Sequence, residues 1–573
     1  MFDRTTWIAV SLSIAGLIGW QYYNTTHILP AIKTERAAEQ VASTTPAKAA
    51  PQVTPIVPVH AAPIPQLTER RETLDTAKAE YLFENNIGGI ESITLFLHLG
   101  EQDHSLQLNT LSPTPIGALL EAPGKVVEGF SMTADKKAGK SSFEHRESNG
   151  LMINKFFTLP QTTGSPEEYS VGLDVTFSNT SNLPLDTPSY LLAAGGATPV
   201  HYTDAPRYTC FDWFSEGKMT TIDVNWFTPT HIPVLGTELR AARPFYEMSH
   251  PGIAWAAVTS QYFCTILTAK DKGIRGAWAT RFDTSLLSQR SQKPISGIAG
   301  GLQLEPLHLA PGESVSYHFT IFAGPKDFKG LEKIGGGQQA VMNFGMFHLV
   351  SEFLLWAMNS LKGLLGNYAA AIIILTLLIK SALWPIQNKA TNSMRRMQLL
   401  SPKMTELREK YKDNPTKMNE ELMKLYKQYG VNPFGGCLPM LVQIPVFFGF
   451  YSMLGTAIEL RNSHFLWIHD LSQPDTIAHF MNMPINLLPI IMAGTMLWQM
   501  SLSPKGGDPA QQRMMYLMPI VFLSFCYNFA SALALYWTTQ NIFSIVQLYA
   551  TRNKPLPKLD VVAKPKKRLK AKG

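Results

Sequence analysis

The 573 residues have a mean hydropathy of only −0.01, which merges two unlike halves: residues 1–339 carry 26 Lys and Arg against 32 Asp and Glu, net −6, and residues 340–573 carry 24 against 11, net +13. Such asymmetry fits nucleic acid or a membrane surface, but the basic half also holds the long apolar runs, which turns the reading to membrane and away from DNA. None of Cys210, Cys264, Cys437 and Cys526 has CxxC or metal-ligand spacing, which excludes a cysteine-built metal centre and leaves a Cys210 to Cys264 disulfide open.

In chain order, Arg4 precedes an apolar stretch from Trp7 to Tyr23, at the lower end of a spanning length. Bulky Gln21, Tyr22 and Tyr23 stand where a cleavage site would need small residues, so residues 1–24 are expected to be a retained signal anchor. Residues 25–66 read as an extended linker, because Pro46, Pro51, Pro55, Pro58, Pro63 and Pro65 deny them regular structure.

Residues 67–335 change to short alternating stretches, such as Tyr169 to Phe177 and Ser314 to Phe322, separated by Gly, Pro and Asn turns. Alternation of this kind predicts antiparallel β-structure, and the length suits one large all-β sandwich. Residues 340–550 follow as a helical membrane region. At its start Phe347, Val350, Leu354, Met358, Leu361 and Leu365 recur at helical spacing against His348, Glu352 and Lys362, predicting a surface helix over 344–365.

Five apolar spans come next: Tyr368 to Trp384, Leu438 to Leu454, Ile485 to Ser501, Tyr516 to Phe529 and Leu533 to Leu548. Asn528 and Ser531 split the last two, since the combined run is too long for one ordinary helix; a single tilted helix is the alternative. Residues 387–436 hold ten Lys or Arg and residues 551–573 hold nine, whereas Thr456 to Met483 holds only Arg461. Positive residues favour the cytoplasm. The fold class is therefore a polytopic α-helical membrane protein with six transmembrane helices, five of them forming a core. Both termini are cytoplasmic, the β-sandwich is periplasmic, and residues 387–436 form a cytoplasmic helical hairpin.

Lys380 interrupts an apolar run about 18 Å along its helix from Tyr368. A cation there costs roughly 2.5 to 3.5 kcal/mol, enough to demand water or a partner. Either it lines a hydrated cavity or its stem snorkels to the cytoplasmic boundary. Thr376, Gln443, Gln540 and Asn541 are further polar groups in the spans, each open to a plain helix-contact reading.

In the hairpin, Met394, Met397, Met404, Leu407 and Tyr411 face one way and Met418, Leu422, Leu425 and Tyr429 answer, with Asp413-Asn-Pro415 as the turn. Such a Met-rich seam suits adaptable partners, although an ordinary small core uses the same spacing. The basic tail from Lys564 to Lys572 is expected to meet anionic lipid, with RNA phosphates as the alternative.

Three stretches, Asn432 to Phe447, Ile372 to Pro385 and Phe322 to Phe328, resemble the YidC-type membrane protein insertases of the Oxa family, in the Gram-negative form with a large periplasmic domain. The resemblance extends over nearly the whole chain. It implies a five-helix core with a hydrophilic groove, no catalytic residues, no metal and no cofactor. Its implied partners are nascent membrane proteins, the Sec translocon and the ribosome. By motif position the groove cation falls on Lys380, groove polarity on Thr376 and Gln443, and substrate-sliding positions on Phe447, Phe525 and Trp537, which plain packing would also explain. The family's bacterial members usually carry Arg where this chain has Lys380, and a desolvated lysine can release its proton.

Two rivals remain from the residues alone. A secondary transporter using Lys380 lacks the usual internal repeat, and a periplasmic carbohydrate-active domain lacks an identifiable carboxylate pair. Gly117 to Gly124-Lys125-Val126 has the wrong gap for a phosphate loop and no Ser or Thr after Lys125, so ATP hydrolysis is not expected.

Overall fold

The computed structural model describes residues 69–100, 104–160, 166–201, 204–231, 238–285, 294–431, 438–480, 483–503 and 509–552. The signal anchor, the linker, the tail beyond residue 552, and the Asn432 to Cys437 part of the Asn432 to Phe447 stretch lie outside them.

Residues 69–325 are built from antiparallel strands. A nine-stranded sheet runs from Lys218–Asp223 at one edge to Ser131–Asp135 at the other, and a six-stranded sheet from Phe245–Ser249 to Lys125–Val126 packs against it. Both stretches singled out by alternation are strands of the larger sheet, Ser170–Asn179 and Ser314–Pro325, paired with each other from Ser170 opposite Phe322 to Ser178 opposite Ser314. Val171, Leu173, Val175 and Phe177 point inward and are fully buried while their neighbours are not, as two-residue periodicity requires. Strands Arg71–Asp75, Ala79–Glu84, Gly89–Leu99 and Ser105–Leu108 form a smaller third sheet.

Cys210 and Cys264 are buried free thiols on strands that both flank Thr259, so an intervening strand holds them apart. Two strand spacings of about 4.8 Å exceed the Cα separation a disulfide spans.

The motif closing this domain does structural work. Lys326 donates its backbone N–H to the Tyr262 carbonyl at 2.8 Å, and Asp327 caps the next helix through Gly330 N at 3.1 Å. That helix, α1, is Phe328–Ile334.

Seven helices follow: α2, His348–Leu365; α3, Tyr368–Lys410; α4, Pro415–Gln428; α5, Leu438–Thr456; α6, Leu487–Leu502; α7, Pro509–Cys526; and α8, Ser531–Arg552. Among the described residues α3 alone is long and apolar enough to cross a membrane by itself, with a hydropathy of 2.1 in its apolar window; residues 442–456, 487–502 and 516–526 are shorter apolar helices.

Two departures from the sequence expectation are physical. The span expected to stop at Trp384 continues without a break through Pro385 and Pro402 into the hairpin. Proline removes one backbone hydrogen bond, and Pro385 and Ser381, one turn before it, are both exposed, so the freed carbonyl is not sealed inside the protein. The surface helix α2 buries Leu354 and Met358 of the expected stripe, yet it also leaves Leu349, Phe353 and Trp356 exposed at 58% or more. Both of its faces are therefore apolar.

The β-domain and the helix ends meet through polar contacts. Gln261 Nε2 donates to the Gly455 carbonyl at 2.8 Å, Tyr262 OH to the Ser472 carbonyl at 3.3 Å, and Arg461 Nη2 to the Leu99 carbonyl at 2.7 Å. A Cβ on Gly455 would lie 2.6 Å from Tyr208 OH, so a larger residue there would have to displace that ring.

Candidate functional site

Lys380 lies on the buried face of α3 and is 5% exposed. Among the described residues it has no carboxylate or hydrogen-bond partner. An ammonium group removed from bulk water without a counter-ion leaves three donors to be met by water or by an arriving ligand. Thr376, one turn earlier and 1% exposed, donates its hydroxyl to the Ile372 carbonyl at 2.7 Å. Its oxygen can then only accept.

Helix α8 runs parallel to α3. Trp384 meets Phe543 edge-on at 5.4 Å, Gln547 Nε2 donates to Asn388 Oδ1 at 3.3 Å, and Arg395 Nη2 donates to the Thr551 carbonyl at 2.7 Å. One turn back from the Trp384–Phe543 pair, helical spacing places Lys380 on α3 level with Thr539 and Gln540 on α8.

Gln443 on α5 joins this layer from the other side. Its Nε2 donates to Tyr536 OH and to Gln540 Oε1, both at 3.1 Å, while its own Oε1 is buried with no partner among the described residues. Tyr536 is held by stacking on Phe450, ring centres 4.2 Å apart. No hydrogen bond links Thr376 or Lys380 to Gln443 among the described residues. The polar groups thus share a level rather than a network.

The three apolar candidates belong to one chain of rings. Phe522 packs on Trp537 at 4.7 Å, Trp537 on Phe447 at 4.9 Å, Phe447 on Tyr451 at 6.3 Å, Tyr451 on Phe529 at 5.9 Å, and Phe529 on Phe525 at 5.0 Å. Phe447 and Trp537 touch directly, and Phe525, 65% exposed, is reached through Phe529. Sequence reasoning missed Tyr451, Phe522, Phe529 and Tyr536. Their only signal was aromatic spacing on three separate helices and, for Phe529, in the break between two of them, which cannot be paired without the fold.

Hairpin packing distributes the four methionines unequally. Met404 is 4% exposed in a core with Leu400, Leu422, Leu425 and Val431, and Met397 and Met418 are half-buried against it. Met394 is half-buried outside that core. The open apolar residue is Met423, 49% exposed, which the seam did not include.

The 60Kd inner membrane protein family matches residues 360–557, and the YidC periplasmic domain family matches residues 124–357. The membrane protein insertase YidC of Burkholderia ambifaria (strain MC40-6) is 33% identical over 433 residues, covering 73% of this chain and 70% of that protein. That of Burkholderia vietnamiensis (strain G4 / LMG 22486) is 34% identical over 420 residues, with the same coverage. A crystal structure of an active YidC insertase aligns with a TM-score of 0.35 at 20% identity, over 85% of this chain and 93% of that one.

Proposed function

The chain belongs to the YidC family of membrane protein insertases, and from that premise we propose how its own residues carry out insertion. It is a membrane protein insertase of the bacterial inner membrane with a periplasmic β-domain. The rival readings, a transporter and a carbohydrate-active domain, gain no support.

Lys380 carries the proposal: a buried ammonium group with no counter-ion, level with Gln443 and Gln540 and one turn from Thr376, makes a wet, positively charged groove. An acidic or polar flank of a nascent chain is drawn to that charge while its apolar stretch slides along Phe447, Trp537 and Phe525. Negative flanks are then favoured outward by the membrane potential, by about 2.3 kcal/mol per charge per 100 mV. Neither a metal nor a nucleotide takes part.

The groove is set in six spans with both ends cytoplasmic: a signal anchor at 1–24, a linker at 25–66, a sandwich over 67–335, a core over 340–550 and a basic tail at 551–573. Support comes from the positive charge of residues 387–436 and 551–573 and from the parallel run of α3 and α8, which that topology requires. Helix α6, Leu487–Leu502, is short for a hydrocarbon layer of about 30 Å, and its mismatch thins the layer beside it. Of the hairpin methionines Met394, half-buried outside the hairpin core, is the one that together with the tail meets the ribosome and anionic lipid, whereas Met404 belongs to that core and Met397 and Met418 pack against it. The Sec translocon is the further partner that the family resemblance implies.

The test is reconstitution. Purified full-length chain in vesicles without nucleotide is expected to insert a single-span client to protease protection, and the reading fails if insertion needs ATP or equals that of empty vesicles.

A further inference from the structure

The chain of rings does not end among the helices. Tyr451, between Phe447 and Phe529, also lies under a guanidinium group of the β-domain: Arg207 sits 5.1 Å from the Tyr451 ring centre and 4.8 Å from that of Tyr208. Its Nη2 donates to Tyr208 OH at 3.0 Å. Its guanidinium also hydrogen-bonds the Tyr451 hydroxyl, and among the described residues no carboxylate pairs with it, so a cation with five donors keeps donors to spare.

Arg207 forms one wall of a cavity of about 210 Å³ between the β-domain and the helix ends, with Tyr208, Gln261, Tyr451, Phe525 and Phe529 around it. Two other polar side chains of the wall are already engaged. Gln261 Nε2 is held by the Gly455 carbonyl and by Tyr262 OH, and Asp204 Oδ2 accepts from Val200 N and His201 N, both at 2.9 Å. Ser472, Gln473 and Asn528 also line it, and Arg207 is its cationic group, the one suited to an anion.

We propose that this cavity is a receiving site for an acidic side chain on the translocated flank of a client, with Arg207 binding the carboxylate as the neighbouring apolar residues leave the rings. The proposal rests on the insertase reading. Two observations favour a client side chain over a lipid phosphate: the volume holds one or two side chains but not a headgroup with its acyl chains, and the rings lead from the groove residues Trp537 and Phe447 to Tyr451. Arg207 then stands at one end of an aromatic path whose groove end, Trp537, lies about one helical turn from Gln540.

The experiment compares two single-span clients, one with an acidic residue in its translocated flank and one with glutamine there, in vesicles containing full-length wild type, Arg207→Gln or Arg207→Lys. The ratio of acidic to neutral client inserted is expected to fall roughly tenfold in Arg207→Gln, the size of a partly exposed charge-assisted hydrogen bond, and to be partly restored in Arg207→Lys. Ala205→Cys is expected to crosslink a cysteine beside the acidic residue and not its neutral counterpart. An unchanged ratio overturns the proposal, whether both clients fall together or neither does. A loss that follows phosphatidylglycerol content instead of client charge also overturns it, by assigning Arg207 to lipid. Wild type inserting neither client would contradict the insertase reading itself, a separate result.

Discussion

Among the buried lysines of the described residues, Lys155 and Lys380 are buried for different reasons. Lys155 falls on the inward register of strand Leu151–Thr158 with Ile153 and Phe157, is fully buried, and donates to the Ile87 and Gly117 carbonyls at 3.1 Å while lying 4.0 Å over the Phe130 ring. Burial lowers its pKa from 10.5 to about 7, partly opposed by Glu84. The folded domain therefore releases a proton that the unfolded chain keeps between about pH 7 and 10.5. Stability from this group rises with pH across that window, by at most about 1.4 kcal/mol per pH unit, and is flat below it. Hydrogen exchange of residues 151–158 in the full chain is expected to slow from pH 7 to 9, after correction for intrinsic rate, and Lys155→Met should remove the slope. Alternation alone marks Lys155 as inward, but its carbonyl partners are 68 and 38 residues away and leave no local trace. Lys380, by contrast, was legible because a single charge interrupts an apolar run.

Elements were readable where their periodicity was local. The paired strands Ser170–Asn179 and Ser314–Pro325 followed from alternation, and the break between α7 and α8 falls at residues 527–530, where Asn528 interrupts the apolar run. The continuation of α3 past Pro385 was not readable, since a proline that ends most helices is tolerated here at an exposed position. Helix seating was equally hidden, because it depends on glycines whose neighbours come from elsewhere. A Cβ on Gly449 would meet Val350 Cγ1 at 2.8 Å, and one on Gly455 would meet Tyr208 OH at 2.6 Å. Gly455→Leu is expected to cost about 1 to 3 kcal/mol of overpacking and to push Tyr208 off the end of α5. Limited proteolysis should then cut between the β-domain and α2 faster than in wild type, and unchanged cleavage would reject this account of the seat.

Across the whole molecule, the β-domain rests on helix-end loops through Gln261, Tyr262 and Arg461, and the groove candidates lie on the helices α3, α5, α7 and α8. Charge distribution made that division visible, with net −6 before residue 340 and +13 after it. Convergence of Gln443, Tyr536 and Gln540 was not visible, since it needs α5 and α8 side by side. The most direct measurement is insertion of an acidic-tailed single-span client by vesicles containing wild type, Lys380→Arg or Lys380→Glu at equal protein density. A working electrostatic groove predicts near-wild-type insertion with arginine and a loss of roughly tenfold or more with glutamate, the size of reversing one partly desolvated charge. Equal insertion by all three would contradict it.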